Sequence, residues 1–272
     1  MSGFSADWLT LREAADTRAR NAGGGLLAVL AGHDAAAGVG VASHRVLDLG
    51  AGTGANFRYL QPRLPGARHW MLVDHDRALL DVAAARAAPD AALETTVVDL
   101  AAALESLQFP EGGLVTASAL LDLVSEPWLA RLAARCRGAR AAVLFALTYD
   151  GRATCRPTDP DDAPVIALVN RHQRRDKGFG AALGPVAAQV AAAQFARAGY
   201  RLCRVRSDWQ IDASEPALQA ALLEGWAQAA REVQPEAAAR VDDWLGRRRR
   251  HLAAGRSRLH VGHEDLAGRV AD

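Results

Sequence analysis

The segment Val46–Asn56, VLDLGAGTGAN, places an acid, Asp48, near the end of an apolar run and follows it with Gly50, Gly52 and Gly54. Glycine tolerates backbone angles closed to other residues and lets a ligand approach the main chain, here beside Ala51 and Asn56, with free helix-start amides beyond. A second acid, Asp74, ends the apolar run WMLVD, with His75 directly after it. It lies about 20 residues past Gly54, the spacing at which an acid in a βαβ unit accepts hydrogen bonds from ribose hydroxyls. A third, Asp99, closes TTVVD, where it can accept from an adenine amine while Leu100 packs on the ring. Three strand ends thus converge on one nucleoside.

The glycines alone do not choose among nucleosides, because GAGTGA also satisfies the dinucleotide fingerprint with Ala55 as its third small residue. Asp48 separates the readings: a carboxylate there repels a pyrophosphate but suits the cationic amino-acid end of S-adenosylmethionine. At this point the sequence resembles the class I (Rossmann-like) S-adenosylmethionine-dependent methyltransferase superfamily, through VLDLGAGTGAN, LVDHD, VVDLA and LVTASALLDLV. The likeness covers residues 45–150 well and the later elements more loosely. It implies a doubly wound α/β fold, with a seven-stranded sheet whose last strand is antiparallel. It also implies a donor site around Gly50, Gly52, Asp74, Asp99 and the turn from Ser118 to Leu120. Gly113 departs from the pattern, standing where an acid often opens the fourth strand.

Methyl transfer from a sulfonium is an in-line displacement, so the protein contributes chiefly by holding the nucleophile close and aligned in a water-poor pocket. A hydroxyl or protonated amine would gain from a general base. The candidates are Asp122 in SALLDLV, Tyr149 and Asp150 after FALT, and His172. Asp122 is the first choice for a substrate-facing acid, because the strand before it floors the reactive methyl in the resembling family. The stretch from Asn170 to Lys177 concentrates polar groups, and Lys177 is the only lysine in a chain that otherwise uses arginine. Arg174, Arg175 and Lys177, beside Gly178 and Gly180, are read as substrate-binding cations for a carboxylate or phosphate. The run Arg247–Arg250 reads as charge complementing a helix end. His75 is read as a cofactor contact to ribose or adenine, though a polar residue after a strand is also ordinary loop chemistry, and Trp209 and Trp226 read as core.

These residues need elements to carry them. Short apolar runs alternate with helical patterns from residue 45 onward, the order of βαβ units. Strands are expected at Arg45–Leu49, Trp70–Asp74, Thr95–Val98, Leu114–Ala117, Ala141–Leu147, Tyr200–Arg206 and Arg258–Val261. Helices are expected at Asn56–Leu64, Arg77–Ala87, Glu126–Cys136 and Val186–Ala198. The organisation predicted is one methyltransferase domain, 1–272. Its parts are N-terminal covering helices (1–44), a cofactor-binding core (45–150), a substrate lid insertion (151–183), and the rest of the sheet (184–272) with a helical pair at 213–254 broken near Pro235.

The 272 residues carry a formal charge of +1, from 32 basic and 31 acidic residues, and 6% aromatics. That balance gives no broad attraction to nucleic acid or an anionic membrane. Three scattered cysteines form neither a zinc spacing nor a disulfide framework. No metal, membrane or nucleic-acid partner is expected, and the setting is read as cytoplasmic. The reading is therefore an enzyme that takes S-adenosyl-L-methionine to S-adenosyl-L-homocysteine while methylating O or N of a small metabolite, with an anionic one suggested by the cations near Lys177. The rivals are a noncatalytic nucleoside-binding or partner-activating protein, an RNA methyltransferase and an NAD(P)-linked oxidoreductase.

Overall fold

The computed structural model describes residues 5–23, 26, 45–64, 66–88 and 91–271. The first element, α1 (Ala6–Ala22), starts where the Ser5 hydroxyl accepts from the Trp8 N–H, and it carries Asp7 in its first turn and Arg20 in its last. Each end therefore complements the helix dipole. Most of the expected covering segment 1–44 lies outside the described residues, but α1 is within them.

Parallel strands and helices then alternate: β1 (Arg45–Leu49), α2 (Ala55–Leu60), β2 (His69–Asp74), α3 (Arg77–Ala85), β3 (Leu93–Val97), α4 (Leu100–Ala103), β4 (Leu114–Ser118), α5 (Glu126–Gly138) and β5 (Ala142–Arg156). Helix α2 is shorter than its apolar pattern suggests, because Pro62 lacks the N–H that would continue it and the chain passes into a 3-10 turn, Gln61–Arg63. The remaining elements are α6 (Asp162–Gln173), α7 (Ala187–Arg197), β6 (Tyr200–Arg206), β7 (Trp209–Ile211), α8 (Pro216–Val233), α9 (Ala238–Ala253) and β8 (Arg258–Val270). The expected helical pair is α8 and α9, and the break is the 3-10 turn Pro235–Ala237.

The strand order is β3-β2-β1-β4-β5-β8-β6, with β7 added on β8. Strands β3 to β5 are mutually parallel, and β8 runs antiparallel to β5, β6 and β7. The antiparallel last strand agrees with expectation, whereas the described residues form eight strands rather than seven. Two strands also outrun their predicted ends: β5 continues from Leu147 to Arg156 and β8 from Val261 to Val270. Polar residues interrupt the apolar run in both, yet the pairing survives through register shifts between Phe145 and Thr148 and between Tyr149 and Ala153. Bulges of this kind bend a strand and re-aim its side chains. Residues 151–156, assigned to the lid insertion, are therefore strand.

Helices cover both sheet faces. One core joins Trp128, Leu129 and Leu132 of α5 and Phe195 of α7 to Val115, Val143 and Phe145 of the sheet. Another packs Phe57 and Leu60 of α2 and Leu80 of α3 against Val46, Trp70 and Leu72. A third gathers Val165, Ile166 and Val169 of α6, Leu218, Leu222 and Trp226 of α8 and Trp244 of α9 over the extended half of β5 and β8. That last unit is tied by charge. The acidic turn Asp159, Asp161 and Asp162 is met by Arg240, Arg247 and Arg248, and the fully buried Arg248 also donates to the Pro157 carbonyl at 2.6 Å. Part of the basic run Arg247–Arg250 is thus spent inside the molecule rather than displayed.

Candidate functional site

In open α/β sheets, ligands lie beyond the carboxyl ends of the parallel strands, where the strand order reverses. Here that place is the end of β1, between β2 and β4. Gly50, Gly52 and Gly54 all have positive φ (64°, 53° and 79°), so the tight turn needs residues without a side chain. Asp74 fixes the loop from the end of β2: its Oδ2 accepts from the Gly52 N–H at 2.8 Å, and its Oδ1 from the Asp76 N–H at 3.0 Å. Ala51 donates its N–H to the Val73 carbonyl at 2.9 Å. A Cβ on Gly50 would lie 3.4 Å from Leu120, and one on Gly52 would lie 3.0 Å from Leu9 of α1. The loop is therefore bounded by the turn after β4 on one side and by the N-terminal helix on the other.

Asp48 and Asn56 sit beneath this loop. Asp48 is fully buried, with Oδ1 accepting from Asn56 Nδ2 at 2.7 Å and Oδ2 without a partner. The Arg20 guanidinium of α1, stacked on Tyr59, donates to Asn56 Oδ1 at 2.9 Å. Burial pushes the Asp48 carboxyl up to about 7, against the pull of Asn56 and Arg20. Asp48, expected to face a cationic ligand, is enclosed by the chain, with Asn56 as its hydrogen-bond partner and Arg20 as a nearby cation.

The other nucleoside residues divide. His75 is exposed, with Nδ1 3.2 Å from Asp74 Oδ1. Asp99 is exposed and caps α4 by accepting from the Ala101 N–H at 2.9 Å. Leu100 is turned into the core, with its carbonyl accepting from the Trp128 indole, so the expected open face for a ring is not where its side chain lies. Ser118 ends β4 beside Ala119, whose φ of 53° is unusual for a residue with a side chain.

The acceptor-side candidates lie past β4 and β5. Asp122 is 6% exposed, and its Oδ1 has no hydrogen-bond partner. Burial pushes its carboxyl up to about 6, while its own and Tyr149's backbone N–H, Arg12 and Lys177 draw it back. Lys177 Nζ lies 3.3 Å from His172 Nδ1, and His172 Nε2 lies 3.0 Å from Glu232, which gives an ordered line from α8 toward Asp122. Burial and Lys177 hold the imidazolium form of His172 back. Tyr149 is brought close to Asp122, but its hydroxyl donates to Asn170 at 2.8 Å, and burial followed by Asp150 and Asp122 raises its ionisation well above the ordinary range. It is a neutral, committed donor rather than a base.

Three predicted contacts are not brought to this place. Asp150 is taken by Arg152, which also binds Asp208. Arg175 donates to the Glu232 carbonyl at 2.8 Å, and Arg174 is exposed at the end of α6. In their stead stand Arg12 and His263. Arg12 is held by Asp16 at 3.0 Å and stacks 4.9 Å from the Trp209 ring centroid. His263 is the cross-strand partner of Tyr149 in the β5–β8 pair. The pairing register that produces this contact spans more than a hundred residues, and no local spacing signals it.

Residues 46–140 match the sequence profile of a family described as Methyltransferase domain. Residues 46–140 therefore carry a methyltransferase domain. That match supports an enzyme that uses S-adenosylmethionine over the oxidoreductase reading. No curated protein matches the chain. Among solved structures, a geranyl diphosphate methyltransferase in complex with SAM is similar at 14% identity, over 99% of this chain and 93% of that one, with a TM-score of 0.51. The cyclopropane synthase MmaA2 from Mycobacterium tuberculosis is similar at 15% identity, over 82% and 77% of the two chains, with a TM-score of 0.44. At such identities the likeness is one of fold. The glycine cradle with Asp74 beneath it fits the methyltransferase's donor in residue type and position. Among the described residues no helix is long and apolar enough to cross a membrane, and no group of His, Cys, Asp and Glu is arranged to hold a metal ion.

Proposed function

We propose that this methyltransferase acts on an O–H or N–H of a small metabolite, with Asp122 as the group that receives the proton. Bound S-adenosylmethionine supplies a methyl group activated by its sulfonium. The observation that carries the reading is the buried Asp122 carboxylate, with an oxygen that no protein donor satisfies. A desolvated acceptor without a partner costs about 1–3 kcal/mol, and an acceptor molecule's N–H or O–H supplies what is missing. A carboxyl pushed up to about 6 is ionised at neutral pH yet basic enough to take a proton as the nucleophile loses it.

Asp74 holds the donor's ribose, with Gly50, Ala51 and Gly52 against its amino-acid end and Asp99 at the adenine edge. Lys177, fixed by His172 and Glu232, provides positive charge on the acceptor side. A small, anionic acceptor fits this better than RNA, because Arg247 and Arg248 are engaged within the fold. The domain extends through the whole chain, with α1 over the donor loop and α6 flanking the acceptor side. Screening hydroxyl- and amine-bearing acids for S-adenosylhomocysteine release tests the reading. Turnover by the wild type that falls at least a hundredfold in Asp122→Asn supports it, and full activity of that variant contradicts it.

A further inference from the structure

Between α1 and the antiparallel half of the sheet lies a second group of side chains that the donor site does not use. His263 is 5% exposed, and its Nδ1 makes no hydrogen bond. Its ring is wedged between Trp209, at 5.0 Å between centroids, and Tyr149, at 6.2 Å. Its backbone is pinned at both ends, its N–H donating to Asp208 at 3.1 Å and its carbonyl accepting from the Ser207 N–H at 2.9 Å. The ring cannot turn away to find a partner without disturbing both aromatics.

Arg12 closes the same place from α1. Asp16 receives its Nε and Nη2 and also accepts from the Trp209 indole at 3.0 Å, so the guanidinium is held over that ring, 4.9 Å from its centroid. Its Nη1 is not used by any described residue. The arginine is thus preorganised, with one edge fixed and the other available. Burial, and next the charge of Arg12, push the His263 imidazole down to about 3, which leaves it neutral. A neutral imidazole in its Nδ1–H form and an arginine edge are both hydrogen-bond donors; both side chains lie against the Trp209 ring, and Tyr149, which packs on His263, serves Asp122 with its backbone N–H.

We infer that Arg12 and His263 form an oxyanion-binding half-site that holds a carboxylate or phosphate of the methyl acceptor while Asp122 faces its reacting O–H or N–H. The inference rests on the methyltransferase reading of the site and refines it, moving the anion-holding role from Arg174 and Arg175 to α1. It also gives α1 a double duty. Leu9 touches the donor loop and Arg12, one helical turn later, serves the acceptor, so a single docked helix completes both halves. His263 is 5% exposed and the Arg12 and Asp16 side chains 11% and 13%, so an anion enters when α1 lifts.

The test is calorimetric titration of acetate, and separately of inorganic phosphate, into protein already saturated with S-adenosylhomocysteine. Saturable binding of either anion by the wild type, weakened at least tenfold in Arg12→Gln and in His263→Phe but unchanged in the exposed control Arg77→Gln, is the expected result. The anion that binds more tightly then identifies the acceptor's charged group. Absence of binding by the wild type, or equal binding by both site variants, overturns the inference. Should Arg12→Gln lose its fold, His263→Phe and the charge-keeping Arg12→Lys decide, the latter expected to retain binding. Failure of the methyltransferase reading itself would appear earlier and separately, as no S-adenosylhomocysteine binding by the wild type.

Discussion

Asp122 meets no protein donor at Oδ1, and burial keeps its proton on to about pH 6. As the proton-accepting group it must be ionised, so kcat/KM is expected to rise tenfold per pH unit below about 6 and to level off above it. Asp122→Asn should lose most activity and the acid limb with it, and a pH–rate profile of the two proteins checks this. Asp48 gives a stability effect of known sign. Its folded-state pKa, raised to about 7, stands above the ordinary carboxylate value, so its contribution is fully present below about pH 4 and is lost as pH rises through 7. Asp48→Asn removes that dependence. Relative to wild type, the variant should therefore gain stability between pH 5 and pH 8, read by denaturant midpoints at both. At Gly54, φ is 79° and a Cβ would lie 3.0 Å from the Ala83 Cβ. Gly54→Ala should cost about 1–2 kcal/mol from backbone handedness alone, plus the crowding.

The elements differ in how visibly the sequence announces them. Strands β1, β2 and β4 were legible because apolar runs end at an acid or a small polar residue and glycines or a helical pattern follow. The glycine loop, Asp74 and Asp122 were placed by the same signal. The outer half of β5 was not, because Asp150 and Arg152 look like a turn until their partner Asp208, more than fifty residues away, is brought beside them. His263 was invisible for the same reason. Its relation to Tyr149 is a register between two strands separated by six helices and strands. The acidic turn and the basic run were each seen, but as loop chemistry and helix-end charge rather than as one clamp. That clamp carries its own prediction. Arg248 is fully buried and pairs with the partly buried Asp162, so Arg248→Ala breaks that pair and the bond to the Pro157 carbonyl and should cost about 3 kcal/mol. Arg249, largely exposed beside Glu224, should lose well under about 1 kcal/mol on the same change. Thermal or urea unfolding of the two variants separates them.

Across the molecule, one domain divides its labour between the two sides of β4. On the proposed reading, the parallel side offers the glycine loop, Asp74 and Asp99 to the donor. The antiparallel side, braced by α6, α8 and α9, carries Tyr149, His172, Lys177 and His263. Helix α1 lies across both, reaching the donor loop through Leu9 and Arg20 and the acceptor side through Arg12. The donor half follows a pattern that local spacing encodes, and was readable. The acceptor half is assembled by long-range pairing, which local spacing does not encode. The most direct test of the whole account is calorimetric binding of S-adenosylmethionine and S-adenosylhomocysteine to the purified protein and to Asp74→Ala. The account predicts saturable one-to-one binding of both by the wild type and its loss in the folded variant. Undiminished binding by Asp74→Ala, or none by folded, ligand-free wild type, would contradict it.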